Sequence, residues 1–481
     1  MAENYVAIDL GAGSGRVTLG SFDGEHVSLE VIHRFSNPGI EVLGHLHWDV
    51  LRLFSEMKDG LGKTAASKPV SLGVDTWGVD FALLDRDGGL IGNPFNYRDS
   101  RTNGLLAKAL AVTPREEIFE HTGLQFMEIN SLYQLLSMKG SAALDSAETL
   151  LMMPDLFHYW FSGVKVCEYS DATTTQFFDP RKRDWARPLL EKLGLPTAIC
   201  AEVVEPGTRI GDVTARVVAE CGVGAMGVVA PASHDTGSAV AAVPADPGDW
   251  AYLSSGTWSL LGVETPEPYV TPTVLEKNFT NEGGVFGTTR LLKNICGMWL
   301  LEECRREWSR QGIETEYEQL CRDAEECQPF RSLIDVDNPV FVAPGDMPAR
   351  IVATCSESAQ PAPETPGQFA RAIFESLALK YRSVLSDLAE ITGRAPKTLH
   401  IVGGGSRNAL LCQFAADAAG ISVVAGPVEA TAIGNVLLQA IAAGRIANHA
   451  EAREVVRRSF EPVRYEPRAG GSDWAEAASR L

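Results

Sequence analysis

The sequence predicts an α/β protein made of two lobes. Strands alternate with helices along both halves of the chain, and a glycine-turn hairpin opens each half. Between the halves lies Ala241-Ala-Val-Pro-Ala-Asp-Pro-Gly248, whose two prolines and glycine suit a boundary. The division expected is 1–245 and 246–481. At about 150 residues per domain, 481 residues give about three domains or two large ones. Alternating strands and helices also predict largely parallel sheets.

The first hairpin is Tyr5-Val-Ala-Ile-Asp9, a break at Leu10-Gly-Ala-Gly-Ser-Gly15, then Arg16-Val-Thr-Leu-Gly20. The second starts about 245 residues later, with Trp250-Ala-Tyr-Leu-Ser254, Ser255-Gly256-Thr257 and Trp258 to Val263. Their recurrence reads as two related lobes; two unrelated hairpins would give the same spacing. Trp48-Asp49 opens an amphipathic helix through Val50, Leu53, Phe54 and Met57. That helix explains Gly60-Leu-Gly-Lys-Thr64 as a helix end. A nucleotide-binding Walker loop needs a glycine where Met57 stands, and a preceding strand. Val70 to Asp75 and Gly227 to Pro231 read as buried strands. Thr365 can cap a long helix with Pro366 at its first position, an apolar stripe from Phe369 to Leu388, and Gly393 as its stop. Thr398 to Val402 is a strand ending in Gly403-Gly404-Gly405. A helix from about Asn408 to Ala419, a strand from Ile421 to Ala425 and a helix from Glu429 to Ala443 follow. The last residues, around Gly470-Gly471, read as a loosely held tail.

Composition narrows the partners. Lys+Arg 42 against Asp+Glu 62 leaves a net charge of −20, which argues against nonspecific binding to nucleic acid or anionic membrane. Nine scattered cysteines without a CxxC pattern fit reduced cytosolic thiols. The amino terminus has no basic and apolar leader, and no run of about 18 apolar residues could span a membrane. These features predict a soluble, cytoplasmic protein. Its oligomeric state is open, and a monomer is compatible with every feature. His45 and His47 share a strand face but lack a third ligand at fitting spacing, so they read as surface residues.

Chemistry concentrates in a few turns. Asp9 ends an apolar strand, where a buried carboxylate needs a partner or a cation. Gly11, Gly13 and Gly15 could let backbone N–H groups converge on an anion, and Arg16 adds a fixed charge. These parts suit Mg²⁺ beside a polyphosphate, or a tight turn capped by Asp9. The run Gly11-Ala-Gly13-Ser-Gly15 fails the dinucleotide fingerprint, because Arg16 stands where the third glycine belongs. Ser254 to Thr257 and Gly403 to Gly405 supply further phosphate-sized turns. Ala232-Ser-His-Asp-Thr236 joins a strand to a small-residue helix. There Asp235 would sit in the positive field of the helix start, which would keep it ionised, or would simply cap the helix. As a carboxylate flanked by His234 and Thr236, it is also the best candidate for a general base.

With these motifs in order, the chain resembles the FGGY carbohydrate kinases over nearly its whole length. The match runs from Ala7-Ile-Asp-Leu-Gly-Ala12 to Gly426-Pro-Val-Glu-Ala-Thr431. Its most specific stretches are Gly73-Val-Asp-Thr-Trp-Gly-Val-Asp-Phe81, Tyr97-Arg-Asp-Ser-Arg-Thr-Asn103, Asp171-Ala-Thr-Thr-Thr-Gln176, Ser233-His-Asp-Thr236 and Tyr252-Leu-Ser-Ser-Gly-Thr-Trp-Ser259. Thr280-Asn-Glu-Gly-Gly284, Leu292-Lys-Asn-Ile295 and His400-Ile-Val-Gly-Gly-Gly405 complete it. The resemblance implies two actin-like (ribonuclease H-like) lobes with an active-site cleft between them, and ATP with Mg²⁺. It also implies phosphorylation of L-rhamnulose at its C1 hydroxyl, in L-rhamnose catabolism.

Carried over by position, Ala12, Gly13, Ser14, Gly15 and Arg16 would line the nucleotide phosphates. Thr257, Glu302 and Gly404 would also contact ATP. Gly78, His234, Asp235, Thr236 and Asn294 would contact sugar, with Asp235 as proton acceptor. Asp9 would serve the metal, through water. Glu302 stands where the family has Gln, and Gly13 where related enzymes often have Ser. The alternatives are a kinase for another ketose or polyol, such as L-fuculose or xylulose, and a non-enzymatic actin-like ATPase.

Overall fold

The computed structural model describes residues 2–246, 248–468 and 471–481. They form two compact units, each assembled from separate stretches of chain. One comprises residues 1–244, 264–291 and 430–460; the other 245–263, 292–429 and 461–481. The chain thus first leaves the first unit at Pro244/Ala245, in the Pro/Gly-rich stretch. It then returns twice, where a single cut near 245 was expected. Pro247 lies outside the described residues.

The first unit holds a six-stranded sheet. Its strands are β1 (Glu3–Leu10), β2 (Ser14–Phe22), β3 (Val27–Ser36), β4 (Ser71–Thr76), β5 (Thr208–Asp212) and β6 (Gly227–Ala230), in the order β5-β6-β4-β1-β2-β3. β1 pairs parallel with β4 and antiparallel with β2. β4 is buried along its whole length, as its apolar reading demands. Asn435 and Gln439, on the helix Ala430–Ala442, fasten it from one side. Asn435 Nδ2 donates to Asp75 Oδ2 at 2.5 Å, and Ser71 Oγ donates to Gln439 Oε1 at 2.6 Å.

That helix lies against the short helix Asp235–Ala241 so closely that only glycine fits at 434. A Cβ there would stand 1.8 Å from the Ser238 carbonyl oxygen. Overpacking of this kind destabilises by about 1–3 kcal/mol. Gly434→Ala is therefore expected to lower the urea midpoint, and an unchanged midpoint would contradict this packing.

The second unit is built on β7 (Trp250–Ser255), β8 (Trp258–Thr265), β9 (Thr289–Cys296), β10 (Thr398–Val402), β11 (Ser422–Ala425) and β12 (Val463–Tyr465), which follow one another as β9-β8-β7-β10-β11-β12 within a seven-stranded sheet. The long helix runs Pro366–Thr392, with Thr365 accepting from Gln368 N and Gly393 left-handed at its end, as the sequence predicts. Both sheets are mixed, which corrects the expectation of largely parallel ones. The helical crossovers give the parallel pairs β1/β4, β6/β4, β7/β10 and β10/β11. The glycine-turn hairpins add the antiparallel pairs β1/β2 and β7/β8.

The tail expectation is also corrected. Residues Gly471–Ala478 form a helix whose Trp474 is buried, its ring 4.8 Å from Phe330 and 5.5 Å from Phe414. Burial of the large indole against these two rings docks the helix on the unit. Gly470 lies outside the described residues. All nine cysteines are free thiols. His45 Nδ1 lies 3.2 Å from Asp99, and the ring of His47 packs on Phe95. Among the described residues no helix is long and apolar enough to cross a membrane.

Candidate active site

Register brings the first carboxylates together. Because β1 and β4 run parallel with Asp9 opposite Asp75, both strands deliver an acid at the same end of the sheet. Antiparallel pairing then sets Arg16 opposite Asp9, and its Nε donates to Asp9 Oδ2 at 2.9 Å. Arg16 is thus partly engaged by Asp9, where the sequence reading gave it to phosphate. Burial, then the nearby Asp9 charge, pushes the Asp75 carboxyl well above the usual carboxylate range; the Asn435 hydrogen bond opposes this. Asp75 Oδ1 is buried without a hydrogen-bond partner. An orphaned carboxylate oxygen beside a second acid is a donor set that fits a hard divalent cation. Among the described residues no group of three or more His, Cys, Asp or Glu closes around such an ion. Water and phosphate oxygens would have to complete its shell.

The turn after β1 is fixed by Asn37, whose backbone N–H donates to Gly13 O and side chain to Gly11 O. None of Gly11, Gly13 and Gly15 adopts a positive φ, so backbone freedom is not why they are glycine. At Gly15 the reason is packing, since a Cβ would lie 2.4 Å from the Phe35 ring. At Gly13 a Cβ would meet nothing within 4 Å, so the space beside the turn is open.

The strand-to-helix turn carrying Asp235 is held by its backbone. Thr76 N donates to Ser233 O, Ser233 N to Glu168 Oε2 at 2.9 Å, and His234 N to Ser170 Oγ at 3.1 Å. Asp235 is the first residue of its helix and half-buried. Its Oδ1 accepts from Thr236 N at 2.6 Å and lies 3.5 Å from His234 Nε2. Burial raises the Asp235 pKa, and the Asp9 charge adds to this, while His234 pulls the other way.

Near Gly78 the chain is strained. Val79 has φ +67°, rare for a β-branched residue. Thr174 Oγ1 holds it by accepting from Val79 N at 2.9 Å, and Gln134 Nε2 donates to Val79 O. The next residue, Asp80, is fully buried and gathers Trp48 Nε1 (2.5 Å), Trp77 Nε1 (3.0 Å) and Gln134 Nε2 (2.8 Å). Burial pushes its pKa up to about 6 despite these donors. The two indoles, 4.2 Å apart, form a rigid aromatic wall.

In the second unit, parallel pairing of Ser254 with Val402 aligns the two glycine turns. Gly403 has φ +84°, and a Cβ at Gly405 would strike Ser255 Oγ. A Cβ at Gly404 would meet nothing within 4 Å. Trp299 N donates to Thr257 O at 3.1 Å, so the helix Trp299–Arg310 starts beside that turn. Glu302 lies in its first turn, ion-paired with Arg305 at 3.1 Å. Asn294 is half-buried on β9.

The expected residues therefore fall in two groups. Asp9, Ala12 to Arg16, Gly78 and His234 to Thr236 belong to the first unit, and Thr257, Asn294, Glu302 and Gly404 to the second. Sequence reasoning missed Glu168, Ser170, Asp80, Trp48, Glu282 and Arg290. Asp80 and Glu282 carried a signal, since both lie in stretches that bear the family resemblance.

Comparison with known proteins decides the family. The N-terminal domain model of the FGGY carbohydrate kinases matches residues 4–242, and the C-terminal domain model of the same family matches 251–443. The chain belongs to the FGGY family of carbohydrate kinases. It is 48% identical over 471 residues to a rhamnulokinase of Bacteroides thetaiotaomicron, covering 97% of this chain and 96% of that one. To a rhamnulokinase of Halalkalibacterium halodurans it is 41% identical, covering 96% and 98%. Among solved structures, a ligand-bound xylulose kinase from Lactobacillus acidophilus matches with a TM-score of 0.82 at 15% identity, covering 99% and 96% of the chains. A Plasmodium falciparum glycerol kinase with ADP matches at 0.77 and 14% identity, covering 100% and 97%. This FGGY kinase is thus an α/β enzyme with actin-like lobes that phosphorylates a sugar.

Proposed function

We propose that this FGGY kinase transfers the γ-phosphoryl group of ATP to the C1 hydroxyl of L-rhamnulose, giving L-rhamnulose 1-phosphate and ADP. The observation that carries the substrate is near-full-length similarity to proteins named rhamnulokinases, at 48% and 41% identity. Asp235 supports the chemistry. It is a half-buried carboxylate with one oxygen engaged by Thr236, and its pKa is raised, which makes it a stronger base once ionised.

Asp235 takes the C1 hydroxyl proton as that oxygen attacks the γ-phosphorus. The bond from the γ-phosphorus to the β,γ-bridging oxygen breaks, and ADP leaves with those electrons. Phosphoryl transfer otherwise depends on positioning and charge stabilisation. On the first unit His234, Thr236 and Gly78 would hold the sugar beside Asp235; on the second, Asn294 is the residue proposed to contact sugar. The Trp48–Trp77 wall next to Gly78 limits the shape that can enter. On the first unit the turn Ala12–Arg16 would take phosphate, and on the second Thr257, Glu302 and Gly404 would take nucleotide. Asp9 and Asp75 would hold Mg²⁺ through water, and the ion would neutralise charge developing on the phosphates.

The base assignment has a pH signature. Asp235 works only when ionised, so kcat/KM for the sugar rises with pH through its pKa. Because that pKa is raised, the acidic limb is expected above the usual carboxylate range. A pH–rate profile at saturating ATP checks this. The function itself is tested by initial rates of ADP release on a ketose panel. L-rhamnulose should give the highest kcat/KM; equal or better use of L-fuculose or D-xylulose would overturn the assignment.

A further inference from the structure

Beyond the residues that would touch sugar or nucleotide, a buried ion pair lies behind His234. Arg290, fully buried, donates through Nε to Gly283 O at 2.8 Å. Its Nη2 lies 3.1 Å from His234 Nδ1 and 3.3 Å from Glu282 Oε2. Glu282 Oε2 is itself 3.2 Å from His234 Nδ1. On the opposite side of the ring, His234 Nε2 lies 3.5 Å from Asp235 Oδ1.

This arrangement limits where the imidazole proton can be. A guanidinium stays protonated and offers only N–H donors. A ring nitrogen that receives such a donor presents its lone pair, so the proton of a neutral ring resides on Nε2. Glu282 offers the opposite instruction, since a carboxylate at Nδ1 would draw a proton there. Arg290 Nη2 touches both groups, and its positive charge offsets the repulsion between their lone pairs.

We propose that Arg290, with Glu282 as its counter-charge, is a positioning residue that locks His234 as the Nε2–H tautomer. The locked ring aims a donor at Asp235 Oδ1, the oxygen that Thr236 also addresses. Oδ2 is thereby left to take the sugar proton. This consequence rests on the reading of Asp235 as base; the tautomer lock does not.

The test is a long-range ¹H–¹⁵N correlation spectrum of the full chain, labelled with ¹⁵N-histidine and free of sugar and nucleotide. His234→Gln assigns the ring among the nine histidines. The wild type should show Nδ1 unprotonated and Nε2 protonated. Arg290→Met should move the proton to Nδ1, and Arg290→Lys, which restores a donor, should return it to Nε2. In parallel, Arg290→Met should lower kcat roughly 10- to 100-fold, as expected for a misaimed catalytic group, with KM for ATP changed less than about twofold.

If Arg290→Met fails to fold, Arg290→Met/Glu282→Leu removes both charges together, and its ring should then populate both tautomers. A wild-type ring protonated on Nδ1, or a tautomer indifferent to Arg290, would overturn the proposal. Neither result would bear on whether Asp235 is the base.

Discussion

Asp235→Asn is expected to lower the rate of sugar phosphorylation about 10²- to 10⁴-fold, the usual loss when a general base is removed. Asparagine keeps the size of the side chain, and its amide oxygen can still accept from Thr236 N. It cannot accept the hydroxyl proton. ATP affinity should change little, because no nucleotide contact is assigned to Asp235, and the fold should survive. Lifting one carboxylate from a site that also holds Asp9 and Asp75 relieves repulsion that raises the pKa of Asp235 and Asp75. Rapid-quench single turnovers with the variant, alongside nucleotide titration, separate the two effects. A folded Asn variant with near-normal turnover would make Asp235 a helix-start residue only.

Glu168→Ala is expected to have the largest effect on stability, about 3–5 kcal/mol. The carboxylate is fully buried and accepts from Ser170 N, Ser170 Oγ, Asp171 N and Ser233 N. Truncation strands four buried donors, each of which is destabilising by about 1–3 kcal/mol if nothing replaces its partner. Relaxation and shared geometry hold the total below their sum. Ser233 is among the stranded donors, so the Asp235 turn loosens as well and kcat falls with stability. Urea unfolding of the variant checks the first effect and steady-state rates the second.

Glu168 also gives stability a pH dependence. Burial raises its pKa from 4.5 to about 7 against its four hydrogen bonds. A carboxyl whose folded pKa exceeds its unfolded value holds its proton more tightly in the folded state. Its contribution is therefore present below the unfolded pKa and is lost as pH rises through about 7. Asp75, Asp155 and Asp171 are raised in the same direction, each chiefly by burial. Wild-type stability should thus fall from about pH 4.5 to above pH 7, and Glu168→Ala should flatten part of that slope.

Local chemistry was what the sequence made legible. The hairpin bearing Asp9 and Arg16, the Thr365-capped helix and the glycine turns at Thr257 and Gly404 follow from turn, cap and period, and all stand where those rules put them. Contacts across long loops could not be read. Glu168 reaches Ser233 from 65 residues away, Arg290 reaches His234 from 56, and Asn435 reaches Asp75 from 360. No periodicity announces such partners.

The expectations that fell short have related causes. Helix-start reasoning gave Asp235 a field but could not see the burial and the Asp9 charge that act against ionisation. Strand–helix alternation gave the parallel crossovers, but it did not weigh the hairpin strands within the same sheets. Composition made the carboxyl-terminal segment a tail, because Phe330 and Phe414, the partners of Trp474, are distant in sequence.

The most direct test of the account is the position of the phosphate in the product. L-[1-¹³C]rhamnulose, incubated with ATP, Mg²⁺ and the enzyme, should give a ³¹P resonance split by coupling to the labelled carbon, with one ADP formed per sugar consumed. A phosphorylated product without that coupling would place the ester on another hydroxyl and contradict the C1 assignment. ATP turnover that ignores the sugar would contradict the kinase reading of the site.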